Sequence, residues 1–377
     1  MDWLINAVYY VVPFVVLLGI LVFVHEFGHF LVARMTGVCV EAFSIGFGKV
    51  LWSKTDKHGT NWRISAVPLG GYCQFLGDGD ASSSTADEKA VELTEEEKKH
   101  AFNFQNPYKK LAIALAGPGA NYIFAILVFT GIFFFLGKIS FPPVVGEVFP
   151  DSAAAEAGIQ ANDRILTING HKIEHFDDIR REVDLITDGK VEVELLRNEQ
   201  PMTLNFKLKE LEVSGMDGTI TKRPMLGVKS VNAIEIEYQK LSLWNAFKNA
   251  SIETWDITAA TLRGVGQMIT GKRSGEELGG NIRIAEMTGD ISKQSGVLDF
   301  LVFMALLSIN LGLINLFPIP VLDGGHVVLY VIEIVTGREI SNQVKDVLFK
   351  LGFALIIALM VFATWNDFVR LFHRWFA

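Results

Sequence analysis

The stretch LVFVHEFGHFLV, residues 21–32, limits what this chain can become more than any other. It lies in an apolar run from residue 5 to 33, long enough to cross a ~30 Å hydrocarbon core, which takes about 20 helical residues. Two histidines and a glutamate sit inside that run. An ionisable group at membrane depth costs a few kcal/mol, so it needs a partner and a purpose. On a helix His25 and His29 share one face, with Glu26 beside them. This is the HExxH arrangement, in which two imidazoles bind zinc and the glutamate acts as general base. The bland alternative is a pair of buried histidines hydrogen-bonded to neighbouring helices.

Composition narrows the choice. Half of the 377 residues are hydrophobic and the net charge is −8, which argues against a nucleic-acid partner, since that needs a basic face. The two cysteines, Cys39 and Cys73, make neither a disulfide framework nor a thiolate zinc site, so any metal must use histidine and carboxylate. Asp2 in place of a basic start, and an overlong apolar run, mark the first segment as a retained span rather than a signal peptide.

Three more stretches have the length and composition of membrane spans, at 111–136, 298–317 and 348–365. Arg34 after the first span and Lys109 and Lys110 before the second place residues 34–110 in the cytoplasm, and the block from 139 to 297 outside. Residues 41–75 alternate aromatic and β-branched residues with Gly-rich turns, the pattern of β-hairpins. Residues 79–100 are polar and acidic and predict a solvated, flexible segment with one short helix. The external block opens with short β runs, a small-residue helix and an Asn-Gly turn, which predict an α+β module. After it, residues 241–269 predict an amphipathic helix lying on that module or at the membrane surface.

Catalytic zinc needs a third protein ligand and one open position. Asp323 follows the third span, and span direction carries it to the depth of His25 and His29, near the cytoplasmic face. His326, three residues on, competes for the same role. Pro318 and Pro320 break regular helix just before Asp323, and non-helical backbone at this depth requires surrounding protein or a water-filled cavity. Asn315 could donate to a developing oxyanion, or serve as an interhelical polar contact. Zinc transport, metal sensing, or a scaffold with structural zinc would use similar ligands. Transport predicts ligands at several depths, and structural zinc a fourth ligand; the chain shows one cluster and no convincing fourth.

HEFGH in the first span and the run from Asn315 to Gly325, NLFPIPVLDGG, resemble the site-2 proteases, the intramembrane zinc metalloproteases of family M50. AGPGANYIF at the head of span two and GFG at 46–48 are similar to further family elements. Residues 144–173 resemble a bacterial PDZ domain, as in the RseP-type branch, with room for one such domain where two are usual. LGGNIRIAE at 278–286 matches a family segment only loosely.

The resemblance implies that His25, His29 and Asp323 hold one zinc ion and that Glu26 activates water. It also implies that Gly46, Phe47 and Gly48 lie in a β-loop receiving substrate as an added strand. Leu226, Gly227 and Val228 would form the carboxylate-binding strand and loop of a permuted PDZ domain. The expected partners are the bilayer and single-pass membrane proteins, such as anti-sigma factors cut once already, or remnant signal peptides, in a bacterial inner membrane.

The expected fold is a polytopic α-helical membrane protein with about four transmembrane helices, a cytoplasmic membrane-associated β-hairpin region and an extracytoplasmic α+β PDZ domain. Its divisions are 1–34, 35–110, 111–137, 138–231 (PDZ), 232–297, 298–347 and 348–377.

Overall fold

In a bilayer each backbone polar group must be paired within the protein, which leaves a long apolar run little choice but a helix. A computed structural model, describing residues 2–77, 93–184, 186, 189–214, 220–230, 237–271, 279–294 and 296–376, has four helices long and apolar enough to cross a membrane. They are the spans Tyr9–Met35, Pro107–Phe135, Gly296–Asn315 and Asn342–Arg370, close to the four stretches read from sequence. The chain divides into two compact units: residues 1–129, 249–262 and 274–377, and residues 130–248 and 263–273.

The first unit begins with α1 (Asp2–Met35), β1 (Val40–Thr55) and β2 (Asn61–Phe75). Its β region is one folded-over sheet rather than successive hairpins. Ala42 through Ile45 pair with Gln74 through Gly71 on one side and with Asn61 through Ile64 on the other. The second register rises in step on both strands, so that central pair runs parallel. Trp52 through Thr55 close the far side against Ile64 through Asn61. Residues 40–45 are therefore interior, and 71–75 form an outer edge.

An aromatic cluster holds this sheet to α1. The Phe43 ring lies 4.6 Å from Trp62, 5.7 Å from Phe30 and 5.8 Å from Phe23. Phe43 is 1 % exposed, and cutting such a ring back to alanine costs about 3–5 kcal/mol.

Residues 78–92, the larger part of the acidic stretch expected to be flexible, lie outside the described residues. The remainder is folded onto the unit. Thr94 and Glu97 cap α2 (Glu95–Lys98) reciprocally. Phe102 is buried and stacks on Phe75 at 4.9 Å. Apolar burial by this one ring, together with backbone bonds from Phe102 N–H to Leu76 O and Cys39 N–H to His100 O, outweighs the polar composition around it. Helix α3 (Pro107–Phe135) follows.

The second unit contains β3 (Lys138–Ser140), β4 (Val145–Val148), α4 (Ala153–Ala157), β5 (Arg164–Ile168), β6 (His171–Lys172), α5 (Phe176–Asp184), β7 (Lys190–Arg197), β8 (Gln200–Lys207), β9 (Lys209–Ser214), β10 (Ile220–Met225), β11 (Val228–Ser230) and β12 (Glu237–Gln239). A four-stranded sheet in the order β6-β5-β7-β8 packs Val191, Val193 and Leu195 inward at the two-residue period of a strand. Buried Asp163 accepts from Arg197 Nε at 2.8 Å and Nη2 at 2.6 Å. The pairing of β12 with β3 carries this α+β module to Gln239, past the expected limit at residue 231.

The chain continues with α6 (Leu243–Ile269), α7 (Asn281–Gln294), α8 (Gly296–Asn315), α9 (Asp323–Thr336) and α10 (Asn342–Phe376). Among its described residues, the region 232–297, expected as one amphipathic helical segment, thus holds β12 and the two helices α6 and α7 before α8 begins. Helix α7 is pinned to α1, where Tyr10 Oη–H donates to Asp290 at 2.8 Å and Lys293 Nζ lies 4.3 Å above the Tyr10 ring. It is pinned to α10 by the buried Asp367 carboxylate, which accepts from the backbone N–H of Gly280 and Arg283.

Candidate active site

On α1, His25 and His29 fall one turn apart and turn their Nε2 atoms to the same point, 3.3 Å from each other. Asp323 meets them there, with Oδ2 3.1 Å from His25 Nε2 and Oδ1 3.4 Å from His29 Nε2. One ligand atom from each residue lies within 4.8 Å of the other two. His326 is not in that group, although it lines the same cavity. Its ring is 5.1 Å from Phe349 and 6.0 Å from Tyr330.

The chain around Asp323 is shaped to deliver it. Helix α8 ends at Asn315 and α9 starts at Asp323, whose charge suits a helix N-terminus. Between them Val321 has φ +92°, a strained value for a β-branched residue and one typical of functional sites. A Cβ on Gly324 would lie 2.3 Å from the carbonyl oxygens of Leu316 and Phe317, and one on Gly325 2.4 Å from that of Ile319. The two glycines after Asp323 let α9 start directly against the turn that precedes it.

Helix α3 supplies supports that the sequence did not reveal. His29 Nδ1–H donates to the Ile113 carbonyl at 2.7 Å, the outer contact that orients a metal-binding imidazole. Asn121 places its amide 3.1 Å from His25 Nδ1. A Cβ on Gly117 would lie 2.2 Å from His29 Nε2. For Gly117 and Asn121 the trace in the sequence was their position in AGPGANYIF.

The ligand atoms open into a cavity of about 390 Å³. Glu26 and Asn315 are in its wall, as are Phe47, Gly70, Gly71, Tyr72 and Cys73. The Cys73 backbone N–H donates to the Glu26 carboxylate, so the outer strand at 71–75 runs beside Glu26. Gly46 and Gly48 do not offer that edge. With φ of +88° and +82° they make the reversal between 40–45 and 50–55, and a Cβ on Gly46 would lie 2.8 Å from the Val67 carbonyl. Of Gly46, Phe47 and Gly48, Phe47 reaches the cavity.

In the second unit, the Leu226 side chain is part of the core. The carbonyls of Leu226 and Gly227 accept from Ala154 and Phe149 N–H, both at 2.9 Å. Val228 opens β11, opposite Val148.

The family model of peptidase family M50 matches residues 13–359. The chain belongs to peptidase family M50. It is 38 % identical over 374 residues to a protein of Rhizobium meliloti (strain 1021) that is named as a zinc metalloprotease, covering 99 % of this chain and 100 % of that one. A similarly named protein of Agrobacterium fabrum is 39 % identical over 362 residues, covering 95 % of each. One from Campylobacter jejuni is 37 % identical over 360 residues, covering 95 % of this chain and 92 % of its own. A solved PDZ domain from Listeria monocytogenes is matched over 25 % of this chain and 94 % of its own at 18 % identity, with a TM-score of 0.20.

As an M50 member the chain is a membrane-bound zinc metalloprotease. Its ligand trio fits the ion. Despite its closeness to His25, buried Asp323 Oδ2 has no hydrogen-bonding partner. His29 donates from Nδ1 to the Ile113 carbonyl and keeps Nε2 3.4 Å from the Asp323 carboxylate. Two imidazoles and one carboxylate are a donor set that leaves tetrahedral zinc one open position.

Proposed function

We propose that this chain is an intramembrane endopeptidase that cuts peptide bonds in or near transmembrane segments of single-pass membrane proteins. The observation that carries this reading is the meeting of His25 and His29, on the membrane-length span Tyr9–Met35, with Asp323 at the start of α9, beside Glu26 and an outer β-strand. Zinc held by those three residues supplies Lewis acidity at the scissile carbonyl. Glu26, held by the Cys73 N–H, takes a proton from the attacking water and returns it to the leaving amine. Asn315, in the same wall, donates to the oxygen that gains charge.

A transmembrane helix hides its carbonyls in internal hydrogen bonds, so substrate must unwind locally before attack. Adding as a strand to the outer edge at 71–75 would replace those bonds and lay the scissile bond along the cavity. Basic flanks favour an active site near the cytoplasmic face of a bacterial inner membrane, with the α+β module outside. The module acts as a PDZ domain that restricts access, through Leu226, Gly227 and Val228, until an external domain of the substrate has been removed. Anti-sigma factors and remnant signal peptides fit that description.

The deciding experiment incubates purified protein with a model transmembrane substrate, wild type against Glu26→Gln, with and without chelator. Cleavage should vanish in the variant while zinc stays bound. A variant that still cuts would overturn the mechanism, and zinc transport without cleavage by the wild type would favour a transporter. For the gating role, deleting residues 142–230 should admit uncut substrates; unchanged selectivity would count against it.

A further inference from the structure

The cavity is longer than the metal site alone requires. Along α1 its wall is formed at successive turns by Val22, Glu26 and His29, and along α9 by Asp323, His326 and Tyr330. Asp323 and Tyr330 are two turns apart, about 10 Å along the helix axis. The cavity therefore continues past the ligand atoms on the side of His29, where the Ile113 carbonyl holds that ring.

Its two ends are built differently, and the outer strand at 71–75 runs from one to the other. Gly71 lies against α1, where a Cβ would be 2.7 Å from Val22 Cγ1 and 3.1 Å from Glu26 Cγ. Next, the Cys73 N–H reaches the Glu26 carboxylate. Two residues on, Phe75 stacks on Phe102 at 4.9 Å, and Phe102 meets the edge of Tyr330 at 6.4 Å. Those three rings, with Ile113 and Ala114, close the far end of the cavity. Each of the five is at most 7 % exposed, and all belong to one apolar cluster. Protein interiors hold few voids, and space bounded by buried apolar groups costs stability while nothing fills it.

We infer that this end is a specificity pocket, which takes one aliphatic side chain from the substrate residue flanking the scissile bond on the Phe75 side. The pocket rests on the reading above, in which substrate adds to the strand at 71–75 and is cut beside Glu26. Successive side chains of a strand point to opposite faces, so only one of the two residues flanking the cut enters it. A charged side chain is refused, because burying it without a partner is expensive. Ala114 and Phe102 set the depth: a larger side chain at Ala114 fills the pocket, and loss of the Phe102 ring lengthens it.

Full-length wild type, Ala114→Leu, Phe102→Ala and Glu26→Gln are purified in detergent and given a synthetic transmembrane peptide, whose cut is located by mass spectrometry. Each residue flanking the cut is then varied in turn through alanine, leucine, phenylalanine and lysine, and kcat/KM is measured for every peptide. With wild type, one flank should favour leucine over alanine by about 10–100-fold, the usual range for methylene groups in an apolar pocket. Lysine there should be cut least, and the other flank should discriminate weakly. Ala114→Leu should lower the leucine-to-alanine ratio at the responsive flank about tenfold. Phe102→Ala should raise the phenylalanine-to-leucine ratio there by about as much. Ratios cancel any general loss of folding or zinc. If Phe102→Ala does not fold, Phe102→Leu takes its place.

Wild-type ratios in both pocket variants overturn the pocket. So do equal shifts at both flanks, since a strand cannot turn both side chains into one end of the cavity. Peptides that wild type and Glu26→Gln cut alike, or that neither cuts, overturn the proposed reaction itself, and the pocket falls with it.

Discussion

An ideal Cβ on Gly117 would lie 2.2 Å from His29 Nε2 and 2.6 Å from Cε1, so even one methyl group competes with a ligand ring for its place. Alanine in a helix is ordinarily better than glycine by about 1 kcal/mol. At this position the sign should reverse: Gly117→Ala should lose zinc and cleave poorly, because the ring can yield only by giving up the Ile113 carbonyl or Asp323. Zinc content by mass spectrometry, read beside cleavage of a model substrate, checks it; full zinc loading would show that the ring has room to move. His25, Glu26 and His29 were legible in the sequence because an i, i+4 pair inside an apolar run has no cheap explanation. Gly117 and Asn121 were not, because a glycine made necessary by another helix, or an amide set against a distant ring, leaves no periodic mark along the chain.

At the scale of elements, Asp56 closes the turn between β1 and β2 and fastens it to the end of α1. Partial burial pushes its carboxyl up, but hydrogen bonds from Trp62 Nε1, the His58 and Thr60 backbone N–H groups, and the Arg34 guanidinium outweigh this and hold it below the usual carboxylate range. A carboxyl whose folded pKa is depressed stabilises fully above its unfolded value, about 4, and loses that contribution as pH falls through the folded one. Hydrogen exchange across residues 50–65 should therefore quicken below about pH 4, beyond the intrinsic pH dependence. Asp56→Asn should be less protected at neutral pH and lack that acid step; equal protection in both would mean that the turn holds without the charge. The turns of this region were visible as Gly-rich punctuation. Its register was not, because Gly46 and Gly48 fold the chain back so that 40–45 gains neighbours on both sides, a choice made by burial of Phe43 against α1 rather than by strand propensity. Helix α9 was also missed: at 14 residues it is too short to read as a span, and its start is hidden among prolines and glycines.

For the whole molecule, the consequential fact is that His25 and Asp323, almost 300 residues apart in the chain, meet at one point. The sequence anticipated a meeting of that kind, because two spans running in the same direction would bring corresponding ends to the same depth. Which of Asp323 and His326 completes the trio did not follow, since it depends on a turn with Val321 at positive φ and on two glycines packed against carbonyls. Held by His25, His29 and Asp323, zinc would join α1 to α9 and stabilise only the folded arrangement, so linkage sets the size of its effect. Free zinc at a hundredfold excess over its dissociation constant adds about 2.7 kcal/mol, and at a thousandfold about 4.1 kcal/mol. The melting temperature of the purified protein should rise with the logarithm of free zinc and fall on chelation. In Asp323→Ala it should be independent of zinc, because two imidazoles from one helix no longer link it to another. A variant that kept the full zinc-dependent rise would mean that the stabilising ion sits elsewhere, and would remove Asp323 from the metal site whatever its effect on cleavage.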